Sequence, residues 1–308
     1  MNQNSQAPAL NPTPVPIFRS VAAGYAFLIS HWHRAMLAAA PYTVAYIAQL
    51  LLLRLVGQGQ SSAGLEMLIL VLSVVTVIAS LALSASMLRM AVLGDYSGKF
   101  GLKVGRDEWR LFLVSILVLA LTVLVFIMVF MFWAVFFSMI ATGALERAGI
   151  DPQGSGFDLT EAMAFMNTAD WGAVVVTGSL GVFVMAWLSA RLILSFPATI
   201  DKGRVLVLSV WPLTNGMAWR IALALLLASI PLIAVEIALY EVLSFLIGER
   251  FLADAALLSS EVVEEAGVQR VREYERWLGV MAAINIPLFS GIYAYIYRQR
   301  TAAPAGQG

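Results

Sequence analysis

Apolar positions in this chain do not alternate or recur on one face. They run together in six long blocks: Ala35–Leu53, Met67–Leu88, Leu111–Ile140, Trp171–Ala190, Ile221–Tyr240 and Trp277–Tyr297. A helix needs roughly 20 apolar residues to cross a hydrocarbon core of about 30 Å. Lipid offers backbone groups no hydrogen-bond partner, and the period-two pattern of a membrane β-barrel is missing, so each block predicts a transmembrane helix. The expected fold is all-α, a polytopic bundle with a single membrane domain over residues 17–300. The third block exceeds one crossing and should tilt or protrude.

Between the blocks the periodicity changes. Ile17, Val21, Tyr25 and Leu28 recur at helical spacing and predict a short amphipathic helix lying in the inner leaflet. Ser244–Arg276 reads as helix broken near Gly267, with a cap at Ser259 or Ser260. "GIDPQGSGFDLTEAM" carries turn residues and then a brief helix from about Thr160. Residues 1–16, polar and proline-rich, and residues 301–308 read as disordered tails, and no cleavable signal peptide is visible.

Composition agrees with lipid as the solvent. The 308 residues are 60% hydrophobic and 12% charged, with a mean hydropathy of +0.84, against about 25% charged in soluble domains. The zero net charge argues against a nucleic-acid partner. It conceals a separation across the membrane. The N-terminal region, the second and fourth loops and the C-terminus hold 13 Lys/Arg and 4 Asp/Glu, a balance of +9. The remaining loops and helix ends hold 6 and 15, a balance of −9. The basic bias predicts both termini in the cytoplasm.

Three blocks open on one signature: "HWHRAML" at His31, "DEWRLFL" at Asp107 and "MAWRIAL" at Met217. The intervening blocks end in Arg89, Arg191 and Arg298. Each pair is a helical hairpin that starts and ends on the basic side. Spacings of 76 residues (Arg34 to Arg110) and 110 (Arg110 to Arg220) make this a degenerate repeat of three hairpins. Interfacial tryptophan and arginine anchor helices in the headgroup region. The same residues, Arg34, Arg89, Arg110, Arg191 and Arg220 with Trp109 and Trp219, are candidates for binding an anionic lipid headgroup, since guanidinium holds phosphate bidentately.

Inside the membrane Glu236 is the one acid in an uncharged run. Sixteen residues from Arg220 place it about 24 Å along its helix, and such an acid suggests a proton or cation site. Asn285 and Pro287 predict a polar contact and a kink in the sixth block, the one proline break the reading identifies. Ser73, Thr76, Ser80 and Ser84 share a face suited to tight helix packing, and Phe126, Phe130, Trp133 and Phe137 form an aromatic stripe.

The stretch "ARLILSFPATIDKGRVLVLSVWPLTNGMAWRI", Ala190–Ile221, resembles a pattern in bacterial six-helix proteins similar to the membrane domain of glycerophosphodiester phosphodiesterases. Arg191, Pro197, Ala198, Leu213, Thr214, Gly216, Trp219 and Arg220 carry the likeness over 32 residues, and Pro212 departs from it. The resemblance implies the six-helix fold. It does not imply phosphodiesterase activity, which in those enzymes belongs to a soluble barrel of about 250 residues. "HRA" at His33–Ala35 opens a span and lacks that barrel and its acidic metal ligands.

The absence of cysteine excludes disulfides and thiolate chemistry. With two histidines, about 200° apart on a helix, no metal or other cofactor is expected. Phosphate loops, nucleophile elbows and zinc-protease motifs are missing. The expectation is a non-catalytic membrane protein with a lipid- or partner-binding role in envelope maintenance, its partners membrane lipids or another membrane protein. The alternative is a small transporter or lipid-translocating protein using Glu236.

Overall fold

The computed structural model describes residues 14–57, 62–103, 105–150, 159–247 and 263–302. They form nine α-helices and one 3-10 helix, and the described residues hold no strand. The helices are α1 (Ile17–Ser30), α2 (Trp32–Gly57), α3 (Ala63–Leu93), α4 (Arg106–Arg147), α5 (Leu159–Ala164), α6 (Thr168–Leu192), α7 (Ser195–Lys202), α8 (Ala218–Ile247) and α9 (Val263–Thr301), with the 3-10 helix at Leu208–Thr214 between α7 and α8. Six, namely α2, α3, α4, α6, α8 and α9, are long and apolar enough to cross a membrane. The chain is a multi-pass α-helical membrane protein whose spans pair as the hairpins α2–α3, α4–α6 and α8–α9.

Helix α9 is the centre. It packs against α1, α2, α3, α7 and α8, and Leu288, Ile292 and Ile296 on it are fully buried. The α4–α6 hairpin lies outside this group and joins it through α3, α7 and α8. Helix α4 is 42 residues long, about 63 Å at 1.5 Å per residue. It buries no residue between Val114 and Ala141. Its far end extends past the crossing, where Ala141 and Leu145 pack under Ala162 of α5, as the length of the third block requires.

Helix α1 forms where its spacing predicts, with its apolar face against protein. It docks into the bundle against α8 and α9, burying Ser20 and Gly24. A β-carbon at Gly24 would collide with Ile292 and reach the Leu288 carbonyl at 3.0 Å, while Gly291 of α9 leaves room for Phe27. The Tyr25 hydroxyl donates to the Ala228 carbonyl of α8 at 2.9 Å. Val21, Tyr25 and Leu28 pack on the core as amphipathic residues should, but the tightest seam is made of small residues, which a moment based on hydrophobicity overlooks. The order also begins before residue 17, since Val15 is buried in the same core.

The expected break near Gly267 is absent, and α9 runs through unbroken. One internal glycine costs only about 1 kcal/mol, which a 39-residue helix absorbs. Ser259 and Ser260 lie outside the described residues, as do 1–13 and 303–308. Proline also enters more spans than expected, at Pro41 in α2 and Pro231 in α8 as well as Pro287 in α9.

The Gly24 seam gives a direct test of α1 docking. Gly24→Leu should lower stability by about 1–3 kcal/mol through overpacking and expose Arg19 to trypsin. Ala26→Leu, at an exposed position of the same helix, should do neither. Thermal unfolding and limited proteolysis in detergent measure both, and equal effects from the two substitutions would refute the docking.

Candidate functional site

The signature arginines occupy four distinct settings. Arg89, near the end of α3, is buried and donates from Nη1 to Glu108 Oε1 at 2.5 Å, with Asp107 Oδ2 at 3.9 Å. Glu108 sits in the first turn of α4, where its second oxygen accepts from the Gly105 N–H at 2.8 Å. That is half of a capping box, and acids are favoured there by the helix dipole. Arg110 donates to Asp107 Oδ1 at 2.9 Å and lies over Gly203, whose φ of +58° ends α7. The "DEWR" motif thus welds α4 to α3 and approaches the end of α7.

Arg191, at the end of α6, is also buried but meets no described carboxylate. Its guanidinium lies over the Trp187 and Trp211 rings at 5.1 and 5.2 Å. Its Nη1 donates to the Trp211 carbonyl at 3.3 Å and to Thr214 Oγ1 at 3.4 Å. The cation is stabilised by ring faces and by the C-terminal carbonyls of the 3-10 helix. Arg34 sits over the Tyr96 ring at 5.4 Å, and the Tyr96 hydroxyl donates back to the Arg34 carbonyl at 3.1 Å. Arg220 is exposed beside Trp219, whose ring is 5.1 Å from Phe183. The five arginines therefore do not converge on one shared partner.

Arg298 donates to the Val92 carbonyl at 2.7 Å and Arg300 to the Leu213 carbonyl at 2.8 Å. Tyr297 donates to Asp201 of α7 at 2.7 Å. These contacts gather the ends of α3, α9, α7 and the 3-10 helix on one face, together with the start of α2. The opposite end of the α4–α6 hairpin carries the Arg147–Asp170 pair at 2.5 Å.

Beside the Arg89–Glu108 pair a cavity of about 670 Å³ opens between α3 and α4. Ser73, Val74, Val77, Ile78, Leu81 and Ala82 wall it along α3, while α4 contributes only Gly105, Glu108, Trp109 and Phe112. The α3 wall runs from Ser73 to Ala82, about 13 Å along the helix. Both Glu108 oxygens are already engaged, so the floor asks for no cation. Trp109, which lines the cavity, is 61% exposed, and Lys103 and Arg106, shortly before it in the chain, are exposed.

The intramembrane polar residues do meet. Asn285 Nδ2 donates to Glu236 Oε1 at 3.1 Å, and Glu236 is 8% exposed. The sequence reading missed Gln49 of α2, which donates to Ser73 at 2.9 Å and accepts from Thr76 at 3.3 Å. An amide alone in an apolar run was the available signal. Ser80 and Ser84 bond back to their own helix, as packing residues do. The aromatic stripe stacks continuously from Phe126 to Phe137, its outer half facing lipid and Trp133 and Phe137 packing on Met166 and Val174. His31 bonds Ser30 and Phe27 at the α1–α2 break, and His33 stacks on Trp32. No group of three or more metal-ligating side chains occurs among the described residues.

Comparison of the chain with family models, curated proteins and solved structures gives no match in any of the three.

The Arg89–Glu108 pair has a specific energetic signature. Glu108→Leu leaves Arg89 buried without its partner and should cost about 3–5 kcal/mol, whereas Arg89→Leu combined with Glu108→Leu should recover most of that loss. Thermal unfolding of the three proteins in detergent measures it. A single substitution no worse than the double one would show that the pair does not hold α3 to α4.

Proposed function

We propose that the protein is a non-catalytic component of the bacterial cytoplasmic membrane, with both termini in the cytoplasm, that binds a phospholipid of the inner leaflet in support of envelope maintenance. The observation that carries this reading is the α3–α4 groove. Its walls are apolar, its one carboxylate is satisfied internally, Trp109 lines it, and Lys103 and Arg106 are exposed on the chain segment that leads into Trp109. A volume of about 670 Å³ falls within the range of roughly 300–1,000 Å³ typical of small-molecule sites. The occupant such a surface selects is an acyl chain lying along α3, with an anionic headgroup among the basic residues and the indole at the interface.

Native mass spectrometry of the full chain released gently from its own membrane tests the reading. An anionic phospholipid should remain bound to the wild type. Val77→Trp, which fills the groove, and Lys103→Ala with Arg106→Ala, which strip its rim, should each reduce that retention about tenfold. Arg220→Ala, away from the groove, should not. Retention unchanged by the groove and rim variants, or a protein partner retained in place of lipid, would overturn the lipid reading.

A further inference from the structure

The groove leaves Glu236 unexplained. This carboxyl is 8% exposed and lies about 24 Å along α8 from the basic face. No described lysine, arginine or histidine forms an ion pair with it. Its described partner is the neutral amide of Asn285 across the α8–α9 contact. Hydrogen bonding to an amide satisfies one oxygen but cancels no charge, and a bare carboxylate in hydrocarbon is strongly unfavourable.

The amide is itself half-satisfied. Asn285 Nδ2 is used on Glu236, whereas Asn285 Oδ1 is buried without a hydrogen-bond donor. A carboxylate and an orphaned amide oxygen side by side are two hard oxygen ligands awaiting one positive charge. Asn285 also lies two residues before Pro287 on α9. Proline removes a helical hydrogen bond and leaves the carbonyl four residues earlier without its helical donor, so the Ala283 carbonyl, half a turn from Asn285, lacks that partner.

We propose that Glu236 and Asn285 form an intramembrane site for a monovalent cation, a proton or a sodium ion, held between α8 and α9. The proton version places a hydrogen on the carboxyl, which donates to Asn285 Oδ1. The sodium version is ligated by the carboxylate and by Asn285 Oδ1. This site is separate from the α3–α4 groove, and its test is independent of lipid retention.

The experiment is carbodiimide labelling of the full-length protein in detergent, using dicyclohexylcarbodiimide, which enters apolar regions and attacks protonated carboxyls. The adduct is located by peptide mass spectrometry. Wild type should be labelled at Glu236, and Glu236→Gln should unfold at the wild-type temperature while losing the adduct. If sodium chloride, against choline chloride at equal ionic strength, lowers labelling about tenfold and Asn285→Ala abolishes that protection, the cation is sodium. Labelling indifferent to sodium identifies the proton. If Glu236 stays unlabelled in the folded protein with and without sodium yet labels after denaturation, and sodium does not raise the unfolding temperature, the site does not exist. Should Glu236→Gln not fold, the wild-type labelling and sodium comparison still decide the matter.

Discussion

Helices in lipid gain nothing from hiding apolar side chains from one another, because the tails around them are equally apolar. Association rests on close packing and on hydrogen bonds between helices. In this protein that constraint converges on α9. Gly291 admits Phe27 of α1, Gly279 admits the Tyr46 ring of α2, and Ile292 fills the space that Gly24 of α1 leaves. The Tyr42 hydroxyl adds a bond to the Gly279 carbonyl at 2.7 Å. Without those glycines the axes of α1 and α2 would stand further from α9, and the Tyr42 bond could not form at its observed length. The bond from α2 to the α9 backbone therefore depends on small residues.

The arginines follow from the same scarcity of partners. Helix ends expose carbonyls at the membrane boundary, where water is incomplete. Arg298, Arg300 and Arg191 each donate to a carbonyl of another element. The positive-inside bias and the stapling of one face are thus served by the same side chains. Arg89 differs, because it is matched by a carboxylate from the next helix. Its Nε and Nη2 remain buried and unbonded, so the geometry of this pair is set by the meeting of α3 and α4 more than by the needs of the guanidinium.

Much of this was legible in the chain because hydrocarbon enforces it. Runs of about 20 apolar residues have one stable backbone solution in lipid, and the six blocks became six helices with one, α4, protruding as its length demanded. The Glu236–Asn285 contact was half legible. Each residue stood out in its own span, but their meeting depends on the rotation of α8 against α9, which uniform apolar runs do not encode. Gln49 escaped for a related reason, since a neutral amide barely changes hydropathy. Helix α1 was legible as an amphipathic helix, but its close approach to α9 was not, because Gly24 marks that seam by the side chain it lacks. The partners of the individual arginines were not legible, because repeats in sequence put arginines at one depth without specifying their direction around the bundle; only Arg89 and Arg110 meet at one acid, Asp107.

The three in-helix prolines show why α8 and α9 can carry a polar contact at that depth. Each proline leaves the carbonyl four residues back without its helical donor. In α8 the Tyr25 hydroxyl of α1 reaches the Ala228 carbonyl, adjacent to the one released by Pro231. The docking of α1 therefore supplies a donor where α8 is weakest and fixes that helix below Glu236. Asn285 stands two residues before the proline of α9, within the stretch where regular bonding is already interrupted. A polar side chain placed there need not compete with an intact helical ladder. The proline and the polar side chain of α9 accordingly share one interrupted stretch, and α1 braces the neighbouring helix by its bond to Ala228.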